Sequence, residues 1–136
     1  MTFSFTFDSA TGTATIAEGS TEIPNRAFKG RKEIKSVTIP GSVLSIGTEA
    51  FKGGSLNKIV IPDAVTTIDL KGFYENKLNE AIIGESVISI GDYAFYRNQL
   101  KSIVIPNSVT SIGRSTFSGN QLSEANIGNS VTSIGD

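Results

Sequence analysis

Apolar residues recur every 22 positions through most of this chain, in several columns that keep one register. One column is Ile39, Ile61, Ile83, Ile105 and Ile127, each followed by proline or glycine. Val43, Val65, Val87, Val109 and Val131 form a second, and Ile46, Ile68, Ile90, Ile112 and Ile134 a third. Ile34, Leu56, Leu78, Leu100 and Leu122 keep step with them, as do Val37, Ile59, Ala81, Ile103 and Ala125. An aromatic column reads Phe28, Phe51, Phe73, Phe95 and Phe117, usually behind a small residue. Its single 23-residue step, from Phe28 to Phe51, comes from one extra residue before Ile34. A fixed period of this kind marks a solenoid, whose units bury their apolar sides only by stacking. The expectation is about five 22-residue coils over residues 23–136.

Within a unit, Ile59 and Ile61 alternate around Val60, which predicts a short strand with one face buried. Proline or glycine then ends it, because proline cannot donate to a ladder. Val109 and Ile112 sit three apart, which fits a second short extended segment with a bend. Asp92 to Asn98 is too short for an independent helix, so one helical or 3₁₀ turn is expected there, aiming Phe95 inward. Asn76, Asn98 and Asn120 recur two residues before the leucine column. They are read as amides that hydrogen-bond the tight loop rather than as ligand contacts. Gly54 takes this place in an earlier unit, so the asparagine ladder should begin at Asn76.

The first 22 residues do not follow the period. Phe3, Phe5 and Phe7 alternate with Ser4 and Thr6, turn residues follow from Asp8 to Gly12, and Thr13 to Ala17 alternates again. This predicts a β-hairpin with a four- or five-residue loop that covers the open end of the first coil. An aromatic ligand platform is the competing reading of the phenylalanines. The sequence stops where the next Ala-Phe turn would begin, so no C-terminal cap is expected. The last coil would then continue into further repeats or pair with a second copy, as a homodimer through the C-terminal coil.

Composition narrows the function classes. Twelve basic against 13 acidic residues give a net charge of −1, which removes the electrostatic reason to expect nucleic acid or an anionic membrane. No apolar run approaches the roughly 20 residues needed to span a bilayer, so no membrane insertion is expected. The N-terminus lacks the basic and apolar stretches of a signal peptide. Cysteine and histidine are both absent. That excludes disulfides, thiolate metal sites and histidine acid–base chemistry, and nothing implies a cofactor or metal. Glu80 and Glu124 share a column, but two coils apart, roughly 10 Å at about 4.8 Å per coil. With Ser102 between them they read as a solvated strand face, not as paired catalytic carboxylates. Lys52-Gly53-Gly54-Ser55 is a lone glycine pair and a weak phosphate cradle. No enzyme is expected.

One full unit reads Leu100-x-x-Ile103-x-Ile105-Pro106-x-Ser108-Val109-Thr110-Ser111-Ile112-Gly113, then x-x-Thr116-Phe117. This pattern resembles the BspA-like class of leucine-rich repeats, over about residues 23–136. The resemblance implies a leucine-rich-repeat solenoid of the α/β horseshoe type, mainly parallel β with short helical or 3₁₀ turns. The initial hairpin resembles the N-terminal segment of such proteins. The family occurs mainly in bacterial surface proteins and in some parasitic protists. It therefore implies a cell-surface or secreted location and a role in adhesion, coaggregation or binding of host or neighbour proteins. Many members carry cysteine after the Ala-Phe turn, where this chain has asparagine or glycine, which indicates a cysteine-free branch. No ligand residue carries over, because the shared motif is the core.

Binding must then use residues free of packing. The outward strand column is Thr38, Val60, Ile82, Val104 and Asn126, apolar at its centre. Polar columns flank it: Ser36, Lys58, Glu80, Ser102 and Glu124 on one side, Lys35, Asn57, Asn79, Lys101 and Ser123 on the other. An apolar stripe with a mixed polar rim suits a protein, or a surface glycan, as partner. Strand propensity alone would also place β-branched residues there. Threonine pairs such as Thr66-Thr67 and Thr110-Ser111 suggest ice or polysaccharide binding, but Leu44 and Ile88 interrupt those columns. A rigid spacer or self-assembling scaffold is the alternative to a binding module.

Overall fold

Each 22-residue unit closes into one coil with three walls. The computed structural model describes residues 3–135. Its strands are β1 (Phe5–Asp8), β2 (Thr13–Ile16), β3 (Glu22–Ile23), β4 (Ser36–Thr38), β5 (Ser45–Ile46), β6 (Lys58–Val60) and β7 (Thr67–Ile68). They continue with β8 (Glu80–Ile82), β9 (Ser89–Ile90), β10 (Ser102–Ile105), β11 (Ser111–Ile112), β12 (Glu124–Ile127) and β13 (Ser133–Ile134). The even strands from β2 onward form the strand face. The odd strands from β3 onward form one continuous six-stranded parallel sheet. Identical residues align across that sheet, as in Ile46 with Ile68 and Ile68 with Ile90. A turn wall carrying the phenylalanine column closes the coil.

The second sheet has six strands, so the described residues form six coils rather than the roughly five expected. The first is hard to see in the sequence. Ala14, Ile16, Ile23 and Phe28 fill its core positions, but Ser20 stands in the valine column. Its hydroxyl donates to the Ala17 carbonyl at 2.7 Å, which lets a polar residue be buried. Strand β2 is also shared, pairing antiparallel with β1 and parallel with β4.

The columns supply the core: Val43, Val65, Val87 and Val109 are fully buried, as are Leu78 and Leu100. The five phenylalanines stack face to face at centroid spacings of 5.0, 5.1, 5.3 and 5.7 Å, close to the coil rise. At the N-terminal end Phe5 and Phe3 meet Phe28 edge-on at 4.7 and 5.9 Å. These hairpin rings are therefore packed on the stack, which leaves them no free aromatic platform.

The helical turn expected around Phe95 does not form, and no helix occurs among the described residues. Two positions in each turn take left-handed backbone. The first, two residues before phenylalanine, is Arg26, Glu49, Lys71, Tyr93 and Ser115, at φ of 49–60°. The second, two residues after, is Gly30, Gly53, Glu75, Arg97 and Gly119. A left-handed residue cannot propagate a right-handed helix. The alternating handedness instead aims three N–H groups at the next coil. In one turn Lys71, Phe73 and Glu75 donate to the carbonyls of Asp92, Ala94 and Tyr96 at 2.8–2.9 Å. Those bonds hold side chains in a conformation that costs about 1–2 kcal/mol for each non-glycine residue.

The asparagine ladder does start at Asn76, and it binds coil to coil. Asn98 Oδ1 accepts from Leu78 N at 3.0 Å, while Nδ2 donates to Phe73 O and Phe95 O at 2.9 and 3.1 Å. Asn76 and Asn120 repeat both coil-to-coil bonds. At Gly54 a Cβ would lie 2.7 Å from Asn76 Oδ1, so the residue beneath the first asparagine must be small.

Candidate functional site

The strand face is not one sheet. Its ladders join β1-β2-β4, then β6-β8, then β10-β12. Each of the two later pairs joins an Ile-Pro coil to an Ile-Gly coil. A Cβ on Gly84 would overlap the Pro62 carbonyl, and one on Gly128 would sit 2.6 Å from the Pro106 oxygen. Glycine permits that approach. Pro62 and Pro106 carry the Cβ that these glycines lack, and the face opens in front of them, between β4 and β6 and between β8 and β10. The true repeat of this face is therefore two coils. Ile59 and Ile103 alternate with Ala81 and Ala125, and Glu80 and Glu124 with Lys58 and Ser102.

The candidate residues all lie on this face. Val60, Ile82 and Val104 expose 50, 45 and 63% of their surface, and Thr38 and Asn126 are exposed beside them. Val60 is the ladder partner of Ile82, and Val104 of Asn126. Thr38 and Val60, and likewise Ile82 and Val104, are separated by the openings. A groove of about 560 Å³ occupies the first opening, walled by Val37, Thr38, Ile39, Lys58 and Val60. A smaller one of about 280 Å³ occupies the second, between Glu80, Ile82, Ile83, Ser102 and Val104. On the polar rim Lys58 and Glu80 pair at 3.2 Å, both half-exposed. Lys35, Asn57, Asn79, Lys101, Ser102 and Glu124 are exposed, and Lys35 Nζ donates to Lys32 O at 3.2 Å. The stripe is thus divided into two apolar clefts with charged lips.

The threonine columns are occupied by structure. Thr66, Thr110 and Thr132 each donate their hydroxyl to a carbonyl of the preceding coil, at 3.1–3.3 Å. Leu44 and Ile88, both 50% exposed, break the row. Among the described residues no group of three or more carboxylates could hold a metal. No helix is long and apolar enough to cross a membrane among the described residues.

The apolar columns do not mark the polar side chains of the turn wall. Tyr74, Tyr93 and Tyr96 meet there with Lys71, and Glu49 gathers Arg26, Lys29 and Lys52 at 2.9, 3.3 and 3.1 Å. Hydrogen bonds from Lys52 and then Lys29 hold the Glu49 carboxyl down to about 2. Burial raises Asp69, which stands where other coils have glycine. The sequence did carry a signal for the tyrosines: all three fall within 23 residues, Tyr74 and Tyr96 directly after the phenylalanine column and Tyr93 two residues before it.

A family model described as BspA type leucine rich repeat region matches residues 21–136, in six copies. Among solved structures, the chain is similar to a leucine-rich repeat protein from Eubacterium ventriosum. That match has 25% identity and a TM-score of 0.84, covering 98% of this chain and 37% of that one. It is also similar to a leucine-rich repeat protein of T. pallidum (24% identity, TM-score 0.74, covering 98% and 83%). A third is the pneumococcal vaccine antigen PcpA (22%, TM-score 0.66, covering 98% and 44%). The chain thus spans less than half of the first and third of these proteins. No curated protein matches it in sequence.

Proposed function

The chain belongs to the BspA-type leucine-rich repeat family, and from that membership we propose that it is a non-catalytic protein-binding module of a bacterial cell-surface or secreted protein. It engages its partner through the strand face. The observation that carries this reading is the half-exposure of Val60, Ile82 and Val104 in one column. Three aliphatic side chains on a fixed backbone offer apolar area to a partner at little ordering cost. The charged lips formed by Lys58 and Glu80 would set orientation more than affinity. A surface or secreted location is supported by the likeness to a protein named as a vaccine antigen. The absence of histidine and cysteine supports a non-catalytic role.

The test is a binding screen of the chain against arrayed secreted and cell-surface proteins and glycans, beside the triple variant V60T/I82T/V104T. Threonine keeps the β-branched shape, so the variant folds while losing apolar surface. Partners retained by wild type and lost by the variant support the proposal. An identical bound set for both proteins would exclude this face.

A further inference from the structure

We propose that the turn wall carries a second binding site, separate from the strand face, for a carboxylate-bearing polysaccharide anchored on Lys71. The three tyrosines of the chain come together only in the fold. Tyr74 and Tyr96 stack at 5.0 Å, and Tyr93 lies against them at 6.4 and 5.4 Å. Lys71 Nζ is held 5.4 and 5.9 Å from the Tyr74 and Tyr93 ring centres. Lys52 sits 5.2 Å from Tyr74, and the Arg97 guanidinium 5.3 Å from Tyr96. Lys52 is shared with Glu49, and Arg97 reaches Glu75 at 3.6 Å. Lys71 has no carboxylate partner among the described residues. The half-buried Lys71 side chain thus sets its ammonium against ring faces with no carboxylate paired to it.

Backbone conformation gives an independent pointer to the same place. At the second left-handed position Gly30, Gly53 and Gly119 meet the steric demand without strain. Among the described residues only the two tyrosine-bearing coils, with Glu75 and Arg97, keep side chains there. Those side chains are held against the conformational preference of the backbone, as strained residues at binding sites often are.

The chemistry of the cluster selects the ligand class. The ring faces are taken by one another and by the cations, so the cluster presents phenol hydroxyls and N–H donors. These suit a hydroxyl-rich anion. Along the wall stand Arg26, Lys29, Lys52, Lys71 and Arg97, of which all but Lys71 pair with Glu49 or Glu75, in a chain of net charge −1. That sparse positive field complements isolated carboxylates. Duplex DNA, with one charge per about 1.7 Å, calls for a denser array.

The experiment measures binding of the full chain to immobilised hyaluronan at low salt, beside neutral dextran, dextran sulfate and single-stranded DNA. Hyaluronan is expected to bind best, and added salt to release it. Lys71→Gly should weaken binding by about tenfold or more. Glycine suits φ of 56°, so that variant loses the ammonium while keeping the fold. Glu75→Gly, which removes the opposing carboxylate, should strengthen binding. V60T/I82T/V104T should bind hyaluronan as wild type does, so loss of one site is distinguishable from loss of the other. Unchanged binding by a folded Lys71→Gly protein would overturn the proposal. So would weaker binding by Glu75→Gly, or dextran, dextran sulfate or DNA binding as tightly as hyaluronan.

Discussion

Asn98 and Phe73 belong to successive coils, and the Asn98 side-chain amide donates to the Phe73 carbonyl at 2.9 Å. The same amide accepts from Leu78 N at 3.0 Å, and Asn98 itself is buried. Asn98→Ala would leave that carbonyl and that N–H buried without partners. Each such group costs about 1–3 kcal/mol, so the variant should lose roughly 2–6 kcal/mol in urea unfolding. Asn120→Ala should lose less, because Asn120 is only partly buried. Equal losses would show that burial does not set the cost.

Glu75→Gly should stabilise the protein. Glu75 has φ of 55° at a position where three other turns carry glycine. Relief of the left-handed strain, less the entropy lost by a new glycine, should gain about 0.5–1 kcal/mol, or about 2–4 °C in Tm. The pair with Arg97 is long, at 3.6 Å, and exposed, so its removal takes little away. A lower Tm for Glu75→Gly would show that this side chain is held for folding.

Gly84→Ala should destabilise where Gly41→Ala does not. A Cβ at Gly84 would overlap the Pro62 carbonyl and lie 2.6 Å from the Ile61 oxygen, whereas one at Gly41 meets nothing within 4 Å. Forcing β6 and β8 apart should cost about 1–3 kcal/mol. Thermal unfolding of the two variants, run together, separates crowding from the general effect of replacing glycine.

These contrasts explain what could be read from the residues alone. The valine, isoleucine, leucine and phenylalanine columns fix the core because burial acts on every coil alike. Asn98 and its equivalents were legible as structural for the same reason. The first coil was hidden because Ser20 breaks its valine column and because β2 serves the hairpin as well. The left-handed turns were not visible. Arg26, Glu49, Lys71, Tyr93 and Ser115 share a backbone conformation but no side-chain chemistry. Of the candidate site, the outward column from Thr38 to Asn126 was legible from strand alternation. Its division into two clefts was not, because that depends on whether proline or glycine follows the strand two coils in succession.

Glu49 makes the pH dependence specific. Its carboxyl takes bonds from Lys52, Lys29 and Arg26, and its side chain is only 12% exposed. In the fold it titrates at about 2, below its ordinary 4.5. Because the folded value is the lower one, ionised Glu49 stabilises the protein fully above about pH 4.5. That contribution falls away as the pH drops from about 4.5 toward 2. The three cations are partly solvated, so the effect should be about 1 kcal/mol in all. Glu49→Gln should therefore be less stable than wild type at pH 7, by that amount, and equally stable near pH 2. Salt at 1 M should narrow the gap at pH 7, since screening weakens exposed pairs. A gap that persists unchanged at pH 2 would mean that Glu49 acts by packing against its neighbours and not through its charge.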